Sequence, residues 1–358
     1  MLSTISKTAS LAANFLFSRP FYASFDVTNY CNLRCEGCDY PVLFGRNLLG
    51  KDKPTESIET RIERLREAFG SMIIVLAGFE PTMRKDLPEI ILAASNSNYV
   101  GIVTNGTLIT PEKARSYWEA GLTFASVSFP TFDNERFKEL TGVKRYDLSD
   151  VRNALETLIA TAPRHRIPPA IVAITATIDN LTTPKELSEL AVYAQQAGAK
   201  VSFQPYSASK PASAAQEYCV EEDKRTITIQ TLEGKFKGSI AETIEQIRRN
   251  HPVVIGRLSA LRNFDVFVRD GSIPFKPRSL KVYESGEVSL YPEAMTFSNI
   301  DTRTPQEVWH DYRGHVEDIR QNGGFRAPNA YRCVNLTNPS MPLGDIIGGT
   351  WRSIARLS

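Results

Sequence analysis

A chain of 358 residues is long enough for one large domain with an appendage, or for two domains. Apolar content of 42% and charged content of 23% are ordinary for a soluble globular protein, and a net charge of +2 gives no footing for nucleic-acid binding. Three of the five cysteines fall within eight residues, which excludes a secreted disulfide framework as the organising principle.

In chain order, Leu2 to Phe17 places Leu2, Ile5, Ala9, Ala12 and Leu16 at roughly helical spacing. This is too short and too rich in Ser, Thr and Asn to span a bilayer, so residues 1–20 are expected to form an amphipathic helix capping the domain. Peripheral contact with a membrane surface is the second reading of that helix. Phe21 to Val27 then reads as a strand and leads into Cys31-Asn-Leu-Arg-Cys35-Glu-Gly-Cys38. Three thiolates in one loop can ligate three irons of a cubane cluster, which ordinarily takes four cysteines, and so leave one iron open. A zinc site would need a distant fourth ligand, and three cysteines this close cannot all pair as disulfides.

Beyond that loop, helices and strands alternate. Thr55 to Phe69 is a helix, and Met72 to Leu76 is a buried strand ending in Ala77-Gly78-Phe79-Glu80-Pro81. Leu87 to Ser95 is a helix, and Tyr99 to Val103 a strand ending in Thr104-Asn105-Gly106. Pro111 to Ala120, Leu148 to Ala160 and Pro184 to Gln196 are helices; Phe124 to Ser128, Ala170 to Ile178 and Val201 to Gln204 are strands. Such alternation argues a parallel sheet with right-handed crossovers. The fold class is therefore α/β, a partial (β/α)6 TIM-like barrel over residues 21–206, open on one side. Its active face is the carboxyl ends of the strands, which gathers the cysteine loop, Gly78, Phe79, Glu80, Asn105, Ser126, Ser128, Thr175, Thr177 and Gln204 on one rim.

After Tyr206 the alternation stops. Residues 207–274 read as linker and helical cover, with Ile240 to Asn250 helical. A small α+β module is expected over 275–358. Leu280 to Tyr291 alternates around Ser285-Gly286, a hairpin signal. Thr304, Pro305 and Glu307 then mark a capped helix through Trp309. The four histidines have no metal-ligand spacing and read as surface or cap residues, while Tyr206 and Arg278 are further candidates for substrate contact.

The Cys-x3-Cys-x2-Cys spacing after a strand resembles the radical S-adenosylmethionine (SAM) enzymes, and the resemblance extends over about residues 20 to 206. It implies a [4Fe-4S] cluster on Cys31, Cys35 and Cys38, with SAM chelating the open iron. Reductive cleavage of SAM would give a 5′-deoxyadenosyl radical that abstracts hydrogen from the substrate. Ala77 to Pro81 looks like the family's Gly-Gly-Glu-Pro segment, which meets the SAM amino group. On that basis Gly78, Phe79 and Glu80 are candidate cofactor-binding residues; Ser128 matches the place where the family contacts ribose or carboxylate, and Asn105 and Thr177 are strand-end candidates for the same role. Two departures stand out: Phe79 replaces the second glycine, and Gly37 sits where many members have an aromatic residue.

The C-terminal segment is similar to the SPASM or "twitch" extension of this family, but without its cluster-binding cysteines: Tyr291-Pro292 stands where one is expected, and only Cys333 follows the helix. That loss implies a redox-neutral outcome, because no auxiliary cluster takes up an electron. In an epimerisation, Cys333 or Cys219 would be the hydrogen donor. The substrate is read as small organic or lipid-like; the resemblance implies a low-potential electron donor such as flavodoxin or ferredoxin, and a labile cluster calls for the reducing environment of the cytoplasm. A maturase of a ribosomal peptide is the alternative enzyme, and a catalytically silent iron–sulfur or zinc binding protein the alternative of another class.

Overall fold

The computed structural model describes residues 2–327 apart from 37, 39, 165–167, 207–224, 256–257, 271–272, 275–276, 291–295 and 323–325. The candidates Cys219 and Cys333, and Gly37, His165, Tyr291 and Pro292, lie outside the described residues.

The first half runs α1 (Leu2–Leu16), β1 (Tyr22–Asp26), α2 (Tyr40–Gly45), α3 (Thr55–Phe69), β2 (Ile73–Ala77), α4 (Leu87–Ser95), β3 (Tyr99–Thr104), α5 (Pro111–Glu119) and β4 (Phe124–Ser128). It continues with α6 (Asn134–Thr141), α7 (Leu148–Thr161), β5 (Ile171–Ile178), α8 (Pro184–Ala197) and β6 (Lys200–Pro205). Local chemistry sets many of the boundaries. The side chains of Thr110, Asp133, Asp147 and Thr183 accept a first-turn N–H of α5, α6, α7 and α8. Left-handed Gly142 and Gly198 terminate α6 and α8.

The later elements are α9 (Ile229–Gly234), α10 (Ile240–Asn250), β7 (Val254–Ile255), α11 (Leu258–Asp270), β8 (Ile273–Pro274), β9 (Ser279–Val282), β10 (Glu287–Leu290), β11 (Thr296–Asn299), α12 (Pro305–Gln321) and β12 (Arg326–Ala327). β8 and β12 form a small antiparallel pair.

The main sheet has the order β11-β10-β9-β1-β2-β3-β4-β5-β6-β7. The six expected strands are its centre, and all pair in parallel. The parallel run extends one strand further on each flank, with β7 beside β6 and β9 beside β1. The C-terminal hairpin is present as expected, with β9 and β10 antiparallel around Gly286, and the Thr304–Glu307 capping box is formed. The hairpin does not make a sheet of its own, however. It continues the barrel sheet past β1, and only long-range pairing reveals that.

Arg61 of α3 locks this arrangement. Its guanidinium is fully buried, donates to both carboxylate oxygens of Asp301 at 2.7 and 2.5 Å, and donates to the Glu284 carbonyl at 2.7 Å. Trp309 and Tyr312 of α12 pack edge-on against Phe69 of α3.

Side-chain alternation divides the sheet into two faces. Ala23, Phe25, Ile74, Leu76, Val100, Ile102, Val201 and Phe203 join the helices in the large core. On the opposite face, the amino-terminal ends of β1 to β4 contribute Tyr22, Ile73, Val75, Tyr99 and Phe124 to a second cluster, which Leu11 of α1 completes. Phe124 lies over Gly101, where a Cβ would stand only 2.0 Å from the ring. The helix is fixed there by Thr8 to the Tyr99 hydroxyl at 2.6 Å and by Asn14 to the Phe69 carbonyl at 2.8 Å. α1 thus stoppers the barrel's amino-terminal end, as its capping role predicts. Leu16 and Phe17 remain exposed, and no helix among the described residues is long and apolar enough to cross a membrane.

Candidate functional site

At the other end, Ser128, Thr175 and Thr177 bring hydroxyls to the inner face, and with Ala77 and Val103 they line a cavity of about 270 Å³. Cys31, Cys35 and Cys38 form part of the same wall, so the structure brings the motif and the strand ends together as expected. None of the three is joined in a disulfide among the described residues, and all three are half-buried.

Helix α6, which the sequence reading passed over, supports the cysteine loop. The N–H groups of Arg34 and Glu36 donate to the carbonyls of Thr141 and Leu140 at 2.8 and 2.9 Å. These are carbonyls at the end of α6, which an isolated helix leaves unsatisfied. Gly142, at φ +66°, then turns away so tightly that a Cβ there would stand 2.3 Å from the Arg34 carbonyl oxygen. Arg34 itself donates to the Cys31 carbonyl at 3.1 Å, and its guanidinium lies over the rings of Tyr40 and Phe44 in α2.

Opposite the cysteines lies the β2 loop. Gly78 adopts φ +108°, and a Cβ there would meet the Thr28 carbonyl oxygen at 2.5 Å, so only glycine lets this backbone approach β1's extension. Phe79 lines the cavity and packs its ring 4.8 Å from Tyr40. The resemblance places Glu80 in a segment that meets the SAM amino group. In the structure Glu80 is wholly buried and is not among the cavity-lining residues. Its carboxylate instead accepts from the Thr82 N–H and hydroxyl, the Thr104 hydroxyl and the Asn105 N–H. It therefore joins the β2 and β3 loops from behind. Burial pushes its pKa up, and the four donors pull the other way.

Asn105 lines the cavity as expected. Its amide donates to Asn32 at 2.9 Å and reaches to 4.0 Å from the Cys31 sulfur, while its oxygen accepts from Thr107. Thr175 shares a 2.5 Å hydrogen bond with Ser126 on the neighbouring strand, so that threonine is engaged across strands as well as facing the cavity. Arg278 stands apart from the cavity; it donates to Ser18 and lies over Phe15 at α1.

Arg225, which no local motif marks, is the sole charged side chain among the described cavity-lining residues. It donates to Asp179 at 3.1 Å and to the Glu36 carbonyl at 3.4 Å, with its guanidinium carbon 4.1 Å from the centre of the Tyr206 ring. Asp179, at the end of β5, also receives Arg136 of α6 at 2.8 Å, and Arg136 reaches Glu186 of α8 at 3.2 Å.

Burial works to raise the Asp179 pKa, but Arg136, the Thr182 hydroxyl and Arg225 together hold it below the usual carboxylate value. A depressed folded-state pKa means that the stabilisation is complete above the unfolded value of about 4 and is lost as pH falls through the lower folded value. Asp179→Asn is therefore expected to destabilise the protein by about 3 kcal/mol at pH 7. The deficit relative to wild type should shrink as the pH is lowered below about 4, read as thermal midpoints across that range. A deficit that does not change with pH would show that the carboxylate charge is not what matters.

Burial, then the neighbouring Cys38 and Cys31 thiolates, push the Cys35 thiol up to about 12, and burial also raises Cys31. Metal loading onto these thiols therefore releases protons. Among the described residues, no three Cys, His, Asp or Glu side chains close around a single metal ion. Three thiols on one cavity wall, without a fourth Cys, His or carboxylate among the described lining residues, suit an iron–sulfur cluster with one open iron. Gly78 lines the same cavity as the three cysteines.

Residues 25–175 match the family model described as Radical SAM superfamily. A GTP 3′,8-cyclase of Stenotrophomonas maltophilia is 38% identical over 134 residues, 36% of this chain and 40% of that protein. A PqqA peptide cyclase of Bradyrhizobium diazoefficiens is 32% identical over 114 residues, 32% of this chain and 29% of that protein. The chain thus aligns with about two fifths, or less, of the length of these curated relatives. Streptococcus suis SuiB, solved with S-adenosylmethionine bound, has the same fold at a TM-score of 0.57 and 16% identity, covering 86% of this chain and 69% of SuiB.

Proposed function

We propose, from the premise that this chain belongs to the radical SAM superfamily, that it is an enzyme abstracting hydrogen from a small organic or lipid-like substrate. The observation that carries the reading is the placement of three cysteines on one wall of a cavity at the carboxyl ends of the parallel strands. When bound, the [4Fe-4S] cluster supplies the electron that cleaves SAM to methionine and a 5′-deoxyadenosyl radical.

The chain's own residues have these parts in the proposal. Cys31, Cys35 and Cys38 hold three irons. Gly78 presents backbone to the SAM amino group, with Glu80 fixing that loop from behind. Asn105, Ser128 and Thr177 offer hydrogen bonds on the cofactor's side of the cavity. Leu33, Phe79, Phe129, Phe137 and Leu140 give the cavity apolar walls that exclude water and suit an apolar substrate portion. Only two cysteines lie beyond the motif, too few for an auxiliary cluster of the usual kind, which favours a redox-neutral outcome. The PqqA peptide cyclase relative favours peptide maturation as a second reading.

Anaerobic reconstitution followed by reduction with SAM tests the proposal. About four irons per chain and formation of 5′-deoxyadenosine are expected. About eight irons would overturn the single-cluster reading, and iron without SAM cleavage would favour a silent binding protein. Deuterium transfer into 5′-deoxyadenosine from labelled small molecules, rather than from labelled peptides, decides the substrate class.

A further inference from the structure

We propose that Arg225 sets the reduction potential of the cluster from outside its ligand set, by holding a fixed positive charge against the Cys35 side of the loop. This rests on the reading that the three cysteines carry a [4Fe-4S] cluster. Arg225 lies beyond the segment matched by the family model, so it is a contribution of this chain's own later residues.

Two observations carry it. Arg225 lines the same cavity as Cys35 and is the sole charged side chain among the described residues that do. It is held against the loop: Asp179 anchors its Nε, the Tyr206 ring packs on its guanidinium, and its Nη1 donates to the carbonyl of Glu36, the residue next to Cys35.

The physical consequence follows from charge balance. One-electron reduction by an external low-potential reductant adds one negative charge to the cluster and leaves the protein's covalent structure unchanged. A fixed cation nearby stabilises the reduced form more than the oxidised one and raises the potential. The burial of Arg225 strengthens that interaction relative to one in water. Asp179 and Arg136 lie behind Arg225, so Asp179 partly offsets the charge that the cluster sees.

Two substitutions with opposite expected signs test this. Reconstituted wild type, Arg225→Gln, Arg225→Lys and Asp179→Asn would be titrated with dithionite at pH 7, with iron content and the electron paramagnetic resonance signal of the reduced cluster recorded. Arg225→Gln should shift the midpoint to more negative potential, so that a smaller share of the cluster is reduced at a fixed poise. Arg225→Lys should restore the wild-type midpoint. Asp179→Asn, which strips the counter-charge, should shift it to more positive potential.

A residue that merely braces the loop would move both Gln and Asn variants in the same direction, and that result overturns the proposal. So does a wild-type midpoint in Arg225→Gln at full iron content, or loss of iron in both Arg225 variants. If Asp179→Asn does not fold, the Gln and Lys pair decides alone. A wild type that takes up no cluster removes the functional reading itself; a loaded wild type with unshifted variants removes only this inference.

Discussion

Cys35→Ala is expected to lose the cluster and with it all reductive cleavage of SAM. Two thiols would remain on the cavity wall, and no fourth Cys, His or carboxylate stands among its described lining residues to replace the third. Iron should fall from about four per chain to a small residue after reconstitution and desalting. 5′-Deoxyadenosine should fall to the level of a protein-free control. The fold should survive, because the loop is held by backbone bonds to α6 through Arg34 and Glu36, which the substitution leaves alone. Circular dichroism of the unloaded protein provides that control. A variant that keeps four irons and still cleaves SAM would refute the ligand assignment.

Glu80→Ala is expected to be the most damaging change outside the cysteines. It removes the acceptor of four hydrogen bonds inside the protein, and leaves the N–H groups of Thr82 and Asn105 without a partner. At about 1–3 kcal/mol for each buried donor left unsatisfied, a loss of about 4 kcal/mol is expected, read as the urea midpoint. SAM binding to the loaded protein should weaken as well, because Asn105 and the Gly78 backbone are positioned through this carboxylate. Glu80→Gln separates the two effects. Its amide oxygen can still accept from Thr82 and Thr104, but its NH2 would face the Asn105 N–H, donor against donor. The Gln variant should therefore recover much of the stability and little of the SAM affinity. Equal recovery of both would mean that Asn105 is not placed by Glu80.

The central alternation was legible because each strand is a short apolar run and each helix carries its own punctuation: Pro111, Pro184 and Pro305 at first positions, Gly198 at a C-terminus, Thr304 and Glu307 as a capping box. α2 and α6 escaped notice for different reasons. α2 is six residues containing a proline and ending in glycine, which reads as a turn. α6 is mostly charged on its exposed side and buries only Phe137, Leu140 and Thr141, so it has little apolar period, although Asp133 and Gly142 were available as end signals.

The cysteines were readable because their ligand chemistry depends on spacing in one loop. The part of Glu80 was not, since a carboxylate after a strand looks the same whether it faces a ligand or ties two loops together. Arg225 had no local signal at all. Its meaning comes from Asp179, Glu36 and Tyr206, and those are assembled only by the fold.

The pairing of β9 with β1 has a consequence for how the protein is made. Strand β1 lies between β2 and β9, and the hydrogen-bonded residues Ser24 and Lys281 are 257 positions apart. On a ribosome moving at about 5–20 residues per second, one edge of β1 waits on the order of tens of seconds for its neighbour. During that wait the nascent chain carries an open row of backbone donors and acceptors, the kind of edge on which strands of other chains add. The barrel can close the β2 side early, but the sheet is completed only when the hairpin emerges and Arg61 finds Asp301. Pausing during translation, or a chaperone holding the unfinished chain, thus acts on the interval in which this edge stays open.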